Sequence, residues 1–478
     1  MLGFIEGVNR TQGIMFPESL DEYIGDGNPV RFIDAFVDSL DLQALGFERA
    51  VPNETGRPPY YPGDLLKLYI YGYLNHVRSS RRLEKEANRN VELMWLLGKL
   101  APDFKTIADF RRDNRQAIRA VCREFTLYCR ELGMFGGELV AIDGSKFKAV
   151  NSRHRDFTER RLKGTIQRLD EKIERYLGEL DTNDEQESES YKPTAEELRE
   201  KIEALKKRKR EYEALQEQLE ESGEKQISLT DPDARSMPRG GKRGTEVAYN
   251  VQMSVDAKHH LIVDHEVTNK VTDQGQLSTM AIRAKEVLQV EELEALADMG
   301  YYDGKQVKTC LQEGITPYIP KPNTSANTRL GLYGKQDFRY DRQNDCYWCP
   351  PGKELTYRFQ TTEHGREIRY YATSACKHCD LKPKCTRNKQ GRRITRWVDE
   401  ALLEEMERRV QAEPEKVKRR KCIVEHPFAT IKHTMNQGYF LMRGLPKVRS
   451  EMSLTVLAYN IKRVVRTLGV QEMVEALA

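Results

Sequence analysis

Between residues 155 and 225 the chain is written almost entirely in charge and heptads. Leu162, Ile166, Leu169, Ile173, Tyr176 and Leu180 recur in steps of four and three, as do Leu198, Ile202 and Leu205, and the pattern resumes at Tyr212, Leu215 and Leu219. Glu, Lys and Arg fill most positions between them. Such a repeat winds into helices with one narrow apolar seam. The acidic stretch DTNDEQESESYKP separates two of them, and Thr194 with Glu197 makes a capping box for the second. The spacing therefore predicts an antiparallel helical hairpin over 155–225 that projects or meets a second copy. Its mixed charges read as a solvated face. The segments on either side must then be two parts of one interrupted core. The overall hydrophobic fraction of 38% and mean hydropathy of −0.71 fit that division, because the polarity is concentrated in the hairpin.

Residues 1–135 read as helical. Pro62-Gly63 opens an apolar helix to Val77, Ser79-Ser80 cap a charged one, and Asp103 with Thr106 start a third carrying Ile107, Phe110, Ile118, Val121, Phe125 and Leu127. Arginines near the helix starts suit a DNA reader and equally a solvated bundle. Glu138–Asp143 (ELVAID) is a short apolar run ending in an aspartate. EVAYNVQMSVD and HLIVDHEVTN alternate as strands, with Ala257–His259 as a turn. A helical pattern over Leu277–Val290 leads to a second apolar run ending in an aspartate, LEALAD at Leu293–Asp298. A helix (Gly304–Glu313) and a strand (Thr316–Pro320) follow, and residues 396–478 are helical again. The expected class is α/β: a mixed-sheet core from 136–154 and 226–320, a helical domain over 1–135, the hairpin over 155–225, a cysteine-rich insertion over 321–395, and a C-terminal helical part of the core over 396–478.

Net charge is only +4, from 78 basic and 74 acidic residues. Nucleic-acid binding must therefore rest on local basic stretches. No run approaches the roughly 20 apolar residues that span a bilayer, and MLGFIEGVNRTQGIMFPESL has no secretory pattern, so a cytoplasmic protein with no membrane partner is expected. Nine cysteines in such a compartment are poor disulfide candidates. Five crowd into 346–385. Cys346-x-x-Cys349 and Cys376-x-x-Cys379 have the spacing of two thiolate knuckles on one structural Zn²⁺, with Cys385 left over, His378 a remote ligand, and free thiols the alternative. Cys122, Cys129, Cys310 and Cys422 lie in helical patterns and read as core.

Three features share a context: LVAIDGSKFKA, ADMGYYDG and the helical IVEHPFATIK. The chain resembles the DDE transposases of bacterial insertion sequences. The last feature resembles that family's basic–Glu–Lys helix, with Lys421, Glu425 and Lys432 at the matching positions. Lysine at 421 replaces the usual arginine, with Arg419 and Arg420 adjacent, and Lys418 stands where a tyrosine is common. TDPDAR (Thr230–Arg235), YNVQ (Tyr249–Gln252), HLIV (His260–Val263) and the closing MRGLPKVRSEMSLTVLAYNIKR extend the resemblance over about residues 15 to 470.

The resemblance implies an RNase H-like core in which Asp143, Asp298 and Glu425 hold two Mg²⁺, with Mn²⁺ able to substitute, for in-line cleavage and joining of double-stranded DNA. It implies phosphate contacts from Lys432 and from Lys421 or Arg420; Lys146 and Lys148, just past Asp143, are placed to hold target backbone or to line a solvated loop. Asp231, Asp233 and Asp273 read as supporting carboxylates. The resemblance selects Cys349, Cys376, Cys379 and Cys385 as zinc ligands of a zinc-ribbon-like insertion, whereas spacing alone includes Cys346. KQGRRITR after it could grip phosphate. A homodimer pairing two element ends, nucleoid-associated when bound, is expected. The competing reading is a catalytically inactive or domesticated DNA-binding protein.

Overall fold

The computed structural model describes residues 19–52, 58–151, 156–183, 195–223, 226–238, 244–322 and 326–477. The Thr194 capping box and most of the acidic turn lie outside the described residues.

Six helices open the chain: α1 (Pro29–Asp38), α2 (Pro62–Leu74), α3 (Ser80–Ala87), α4 (Val91–Leu96), α5 (Phe104–Asp113) and α6 (Arg115–Glu131). The sequence reads α5 and α6 as one helix; the structure breaks it at Asn114. The Asn114 amide donates back to the Phe110 carbonyl at 3.0 Å and its oxygen accepts Glu48 N–H at 2.7 Å, so the side chain competes with the helical ladder.

The core sheet follows. It contains β1 (Leu139–Lys148), then, after the hairpin, β4 (Arg235–Pro238), β5 (Thr245–Asp256), β6 (Ile262–Thr268), β7 (Leu293–Leu296) and β8 (Ile315–Tyr318). Strand order is β4-β5-β1-β7-β8, and the far edge of β5 is shared by β4 and β6. The β1–β5 and β5–β6 pairs are antiparallel; β1–β7 and β7–β8 are parallel. A short pair, β2 (Asp156–Thr158) with β3 (Gln226–Ser228), ties the hairpin α7 (Glu159–Asn183) and α8 (Ala195–Ser222) to the core. Leu162, Leu169, Ile173, Leu198, Ile202 and Leu219 are buried along the hairpin seam, as the heptads require.

Helices cover both faces of the sheet. On one side α9 (Leu277–Leu288), α10 (Gly304–Gln312) and α13 (Glu400–Ala412) bury Val140, Ile142, Ala295 and Ala297. On the other, α14 (Pro414–Ala429) and α15 (Leu445–Leu468) share one apolar core with α1–α6. Nearly every side chain from Val448 to Ile461 is buried. Asn460 pairs with both N–H and C=O of Ile262 (3.0 and 2.8 Å), covering the β6 edge. The short α16 (Val470–Glu475) ends the chain.

Residues 321–397 form more than a small metal-dependent module. After α11 (Ala326–Arg329), strands β9 (Arg339–Asp341), β10 (Cys346–Trp348), β11 (Glu354–Glu363), β12 (Arg366–Ala372) and β13 (Arg393–Trp397) make an antiparallel meander, with α12 (Lys382–Cys385) between the last two. Phe338, Tyr347, Leu355, Tyr371 and Ile394 give it a core of its own. Among the described residues no helix is long and apolar enough to cross a membrane.

Candidate active site

Asp143 lies within β1, not at its end as the apolar run suggests. β5 stays paired with β1 as far as Lys148, whereas β7 leaves after Ala141↔Leu296. Asp143 thus sits just where β1 loses one neighbour and the sheet opens. Asp298 follows the end of β7 by two residues and is near enough for its charge to act on Asp143. Asp143 faces the side on which α14 lies, where Arg420 reaches it. The same face carries Glu294, bound by Lys416 of α14 at 2.8 Å. Asp298 caps the tight turn Met299–Tyr301, its Oδ1 accepting Gly300 N–H at 2.8 Å.

Asp143 is held from two directions. Gly144 N–H donates to Oδ1 at 2.8 Å, and Arg420 Nη1 donates to Oδ2 at 2.9 Å. Burial pushes its carboxyl up to about 6; Arg420 and the Gly144 N–H oppose the rise, and the Asp298 charge adds to it. Arg420, placed among the DNA contacts from sequence, therefore serves here as the counter-cation of Asp143.

Glu425 is five residues further along α14, roughly 140° around the helix from Arg420 at about 100° per residue. It is exposed, with no side-chain hydrogen bond or ion pair among the described residues. The charge of Asp298 acts on Asp143, whereas Glu425 makes no hydrogen bond or ion pair with the described residues around them. Among the described residues no three His, Cys, Asp or Glu side chains are close enough to hold a metal ion.

Lys432 is turned back onto β1. Pro427 lacks the N–H its position in α14 would use, and the helix widens into a π turn over Thr430–Thr434. Lys432 Nζ then donates to Ser145 Oγ at 2.5 Å and to the Lys146 carbonyl at 2.9 Å, and lies 4.7 Å from the centre of the Phe147 ring. Desolvation lowers it to about 8, with Lys146 adding repulsion. Lys421 and Lys148 are exposed.

The opposite face of β1 carries a polar cluster that the sequence motifs do not announce. Asp273 Oδ1 accepts the Asn250 and Gln252 amides, each at 2.7 Å, with Lys146 Nζ 3.8 Å away. The Tyr301 hydroxyl donates to Gln252 Oε1. Asp273 is thereby linked through Gln252 to the turn that Asp298 caps. A Cβ at Gly144 would come within 2.2 Å of Gln252 Nε2 and 2.3 Å of Asp273 Oδ1, so only glycine lets the cluster close over the strand. The signal was present in YNVQ, which puts two amides on one face of an otherwise apolar strand. Asp231 and Asp233 are structural: Asp231 Oδ1 accepts Tyr249 OH at 2.7 Å and Gly444 N–H at 3.1 Å, and Asp233 Oδ2 accepts Leu445 N–H at 2.7 Å at the start of α15.

Residues 348–465 match the family model described as a transposase DDE domain, and residues 18–113 match the one described as a transposase domain (DUF772). Together the two matches support an insertion-sequence DDE transposase. Comparison with curated proteins finds no match. Among solved structures, a piggyBac transposase synaptic complex with hairpin DNA is similar at 8% identity over 92% of this chain and 75% of that one, with a TM-score of 0.32, a likeness too slight to bear on fold or function. In this transposase the DDE-domain match contains Arg420, Lys421, Glu425 and Lys432; Asp143 and Asp298 lie outside both matched stretches.

The same match spans four of the clustered cysteines. Cys349, Cys376, Cys379 and Cys385 line one cavity beneath Phe338 and Leu355. Lys353 N–H donates to Cys349 Sγ at 3.2 Å in a turn closed by Gly352 N–H to the Cys349 carbonyl at 2.8 Å. Cys346 is buried in β10, 1% exposed, and does not line that cavity. Of the core cysteines, Cys122, Cys129 and Cys310 are buried, whereas Cys422 is exposed on the outer side of α14 and is not core.

Proposed function

We propose that this DNA transposase cuts double-stranded DNA at element ends and joins them to target DNA, with Mg²⁺ held by Asp143, Asp298 and Glu425. The observation that supports this is that Asp143 stands where β1 loses β7 as a neighbour and feels the charge of Asp298, two residues beyond the end of β7. Hard oxygen donors on rigid strands fit a divalent ion such as Mg²⁺ or Mn²⁺. The strand order, three antiparallel strands followed by two parallel ones, supports reading the sheet as an RNase H-like core. Bound ions would supply activation of water or a 3′-OH and stabilisation of the leaving oxygen.

The chain's own residues do the positioning. Arg420 keeps Asp143 ionised and in place until the site is filled, and must then give up the carboxylate. Lys432, held over Phe147, presents its ammonium as a point charge for a phosphate oxygen. The Asp273–Gln252–Tyr301 link fixes the turn that aims Asp298. Glu425 completes the set when α14 shifts to bring it in. Cys349, Cys376, Cys379 and Cys385 are the proposed Zn²⁺ ligands; they line one cavity and would have to draw closer to hold the ion. The functional unit is a homodimer on two DNA ends.

The test is strand cleavage and joining on a labelled duplex carrying the gene's own flanking ends. With Mg²⁺, wild type should cut and join. Asp143→Asn and Glu425→Gln should bind the duplex and leave it intact. Cleavage retained in either variant would remove that residue from the site.

A further inference from the structure

The insertion's outer face holds aromatic rings in solvent. Phe359 on β11 and Tyr370 on β12 are partners across the hairpin and stack with ring centres 4.6 Å apart and planes 12° from parallel. Tyr370 covers one side of Phe359, yet Phe359 remains 46% exposed. Glu363 holds the Tyr370 hydroxyl, which fixes the pair as a rigid platform. Arg393, opposite Ala372 on β13, is exposed on the same side. Arg358 sits in a bulge of β11, with Nε donating to the Ala372 carbonyl at 3.2 Å.

The charge around this platform points to its occupant. Residues 351–396 hold twelve Lys and Arg against four Asp and Glu, a net of +8 in a chain whose total is +4. The rest of the molecule is net acidic. A flat apolar ring inside a strongly basic region suits a ligand with both a π face and phosphates. A paired base hides its faces in the duplex stack; an unpaired one offers them. We propose that Phe359, backed by Tyr370, is a stacking shelf for an unpaired DNA base, with Arg393 and Arg358 toward its backbone. The proposal rests on the reading that this protein acts on DNA, and cleavage at element ends would generate such bases.

The full chain should be titrated, by fluorescence anisotropy at low salt, against a short blunt duplex and the same duplex bearing a single-stranded thymidine tail. The tail should tighten wild-type binding. Phe359→Ala should weaken tailed-duplex binding by roughly tenfold while leaving the blunt duplex nearly unchanged, and Phe359→Trp should retain the tail's advantage. Equal affinity of Phe359→Ala and wild type for the tailed probe overturns the shelf, as does equal loss on both probes. Sedimentation without DNA supplies another check: a wild-type dimer that Phe359→Ala dissociates would make a second copy the occupant. Wild type binding neither probe would overturn the DNA reading itself, and the shelf with it.

Discussion

Asp143 is a carboxyl that folding makes harder to ionise, and that has a measurable consequence. Its ordinary value of 3.8 rises to about 6 because burial outweighs the help of Arg420. A carboxyl raised by folding favours the folded state while protonated, so this stabilisation is present below its ordinary value and lost as pH climbs through about 6. Asp143→Asn removes the titration. In chelator-treated protein, denaturation midpoints across that window should therefore move in the variant's favour as pH rises, by on the order of 2 kcal/mol. Parallel curves would show that Arg420 fully compensates the burial. Gly144 invites a second substitution. A methyl there meets the Asp273–Gln252 pair well inside van der Waals range, so Gly144→Ala should cost about 1–3 kcal/mol by overpacking, read as a lower melting temperature. An unchanged melting temperature would mean that the amide cluster yields easily and does not hold the Asp298 turn.

At the scale of elements, the cysteines separate two readings that spacing left open. Cys346 and Cys349 are three residues apart, but β10 directs Cys346 into the buried side of the meander while Cys349 begins the turn after it. If the four cavity-lining thiols bind zinc, metal content should survive Cys346→Ser and fall in Cys379→Ser, with loss of thermal stability in the latter only. Metal analysis of the purified variants decides; zinc lost in Cys346→Ser, or absent from wild type, sinks that set. Much else at this scale was legible. The heptads named the hairpin, and the apolar runs before Asp143 and Asp298 named two strands. The position of Asp143 within β1 was not legible, because the partner that prolongs the strand is β5, about a hundred residues away in sequence. Nor could the residues reveal that Arg420 meets Asp143 while Glu425 stays exposed: both lie on α14, and their surroundings depend on how that helix packs. The insertion's own core was not legible because its apolar residues are spread over five strands and meet only when the meander folds.

For the whole molecule, the near balance of charge conceals a division of labour. The insertion is strongly basic, and the remainder, including the hairpin and the carboxylates, is net acidic. Residues 414–466 form a second basic stretch, twelve Lys and Arg against three Glu, so the salt dependence of binding measures how much of the grip lies on the insertion. Lys384, Arg387, Lys389 and Arg393 are exposed on the insertion. Replacing all four with glutamine should flatten the slope of log affinity against log salt by about 0.9 for each phosphate no longer neutralised, up to roughly 3–4 in all. If the opening helices instead carry the DNA, through exposed arginines such as Arg81, Arg82 and Arg112, the slope should stay as in wild type and fall when those three are replaced. The two outcomes place the duplex on different sides of the core. Only the first sets it beside the Phe359 platform, so the slope of the quadruple variant also tests whether the basic insertion and the exposed rings serve one ligand.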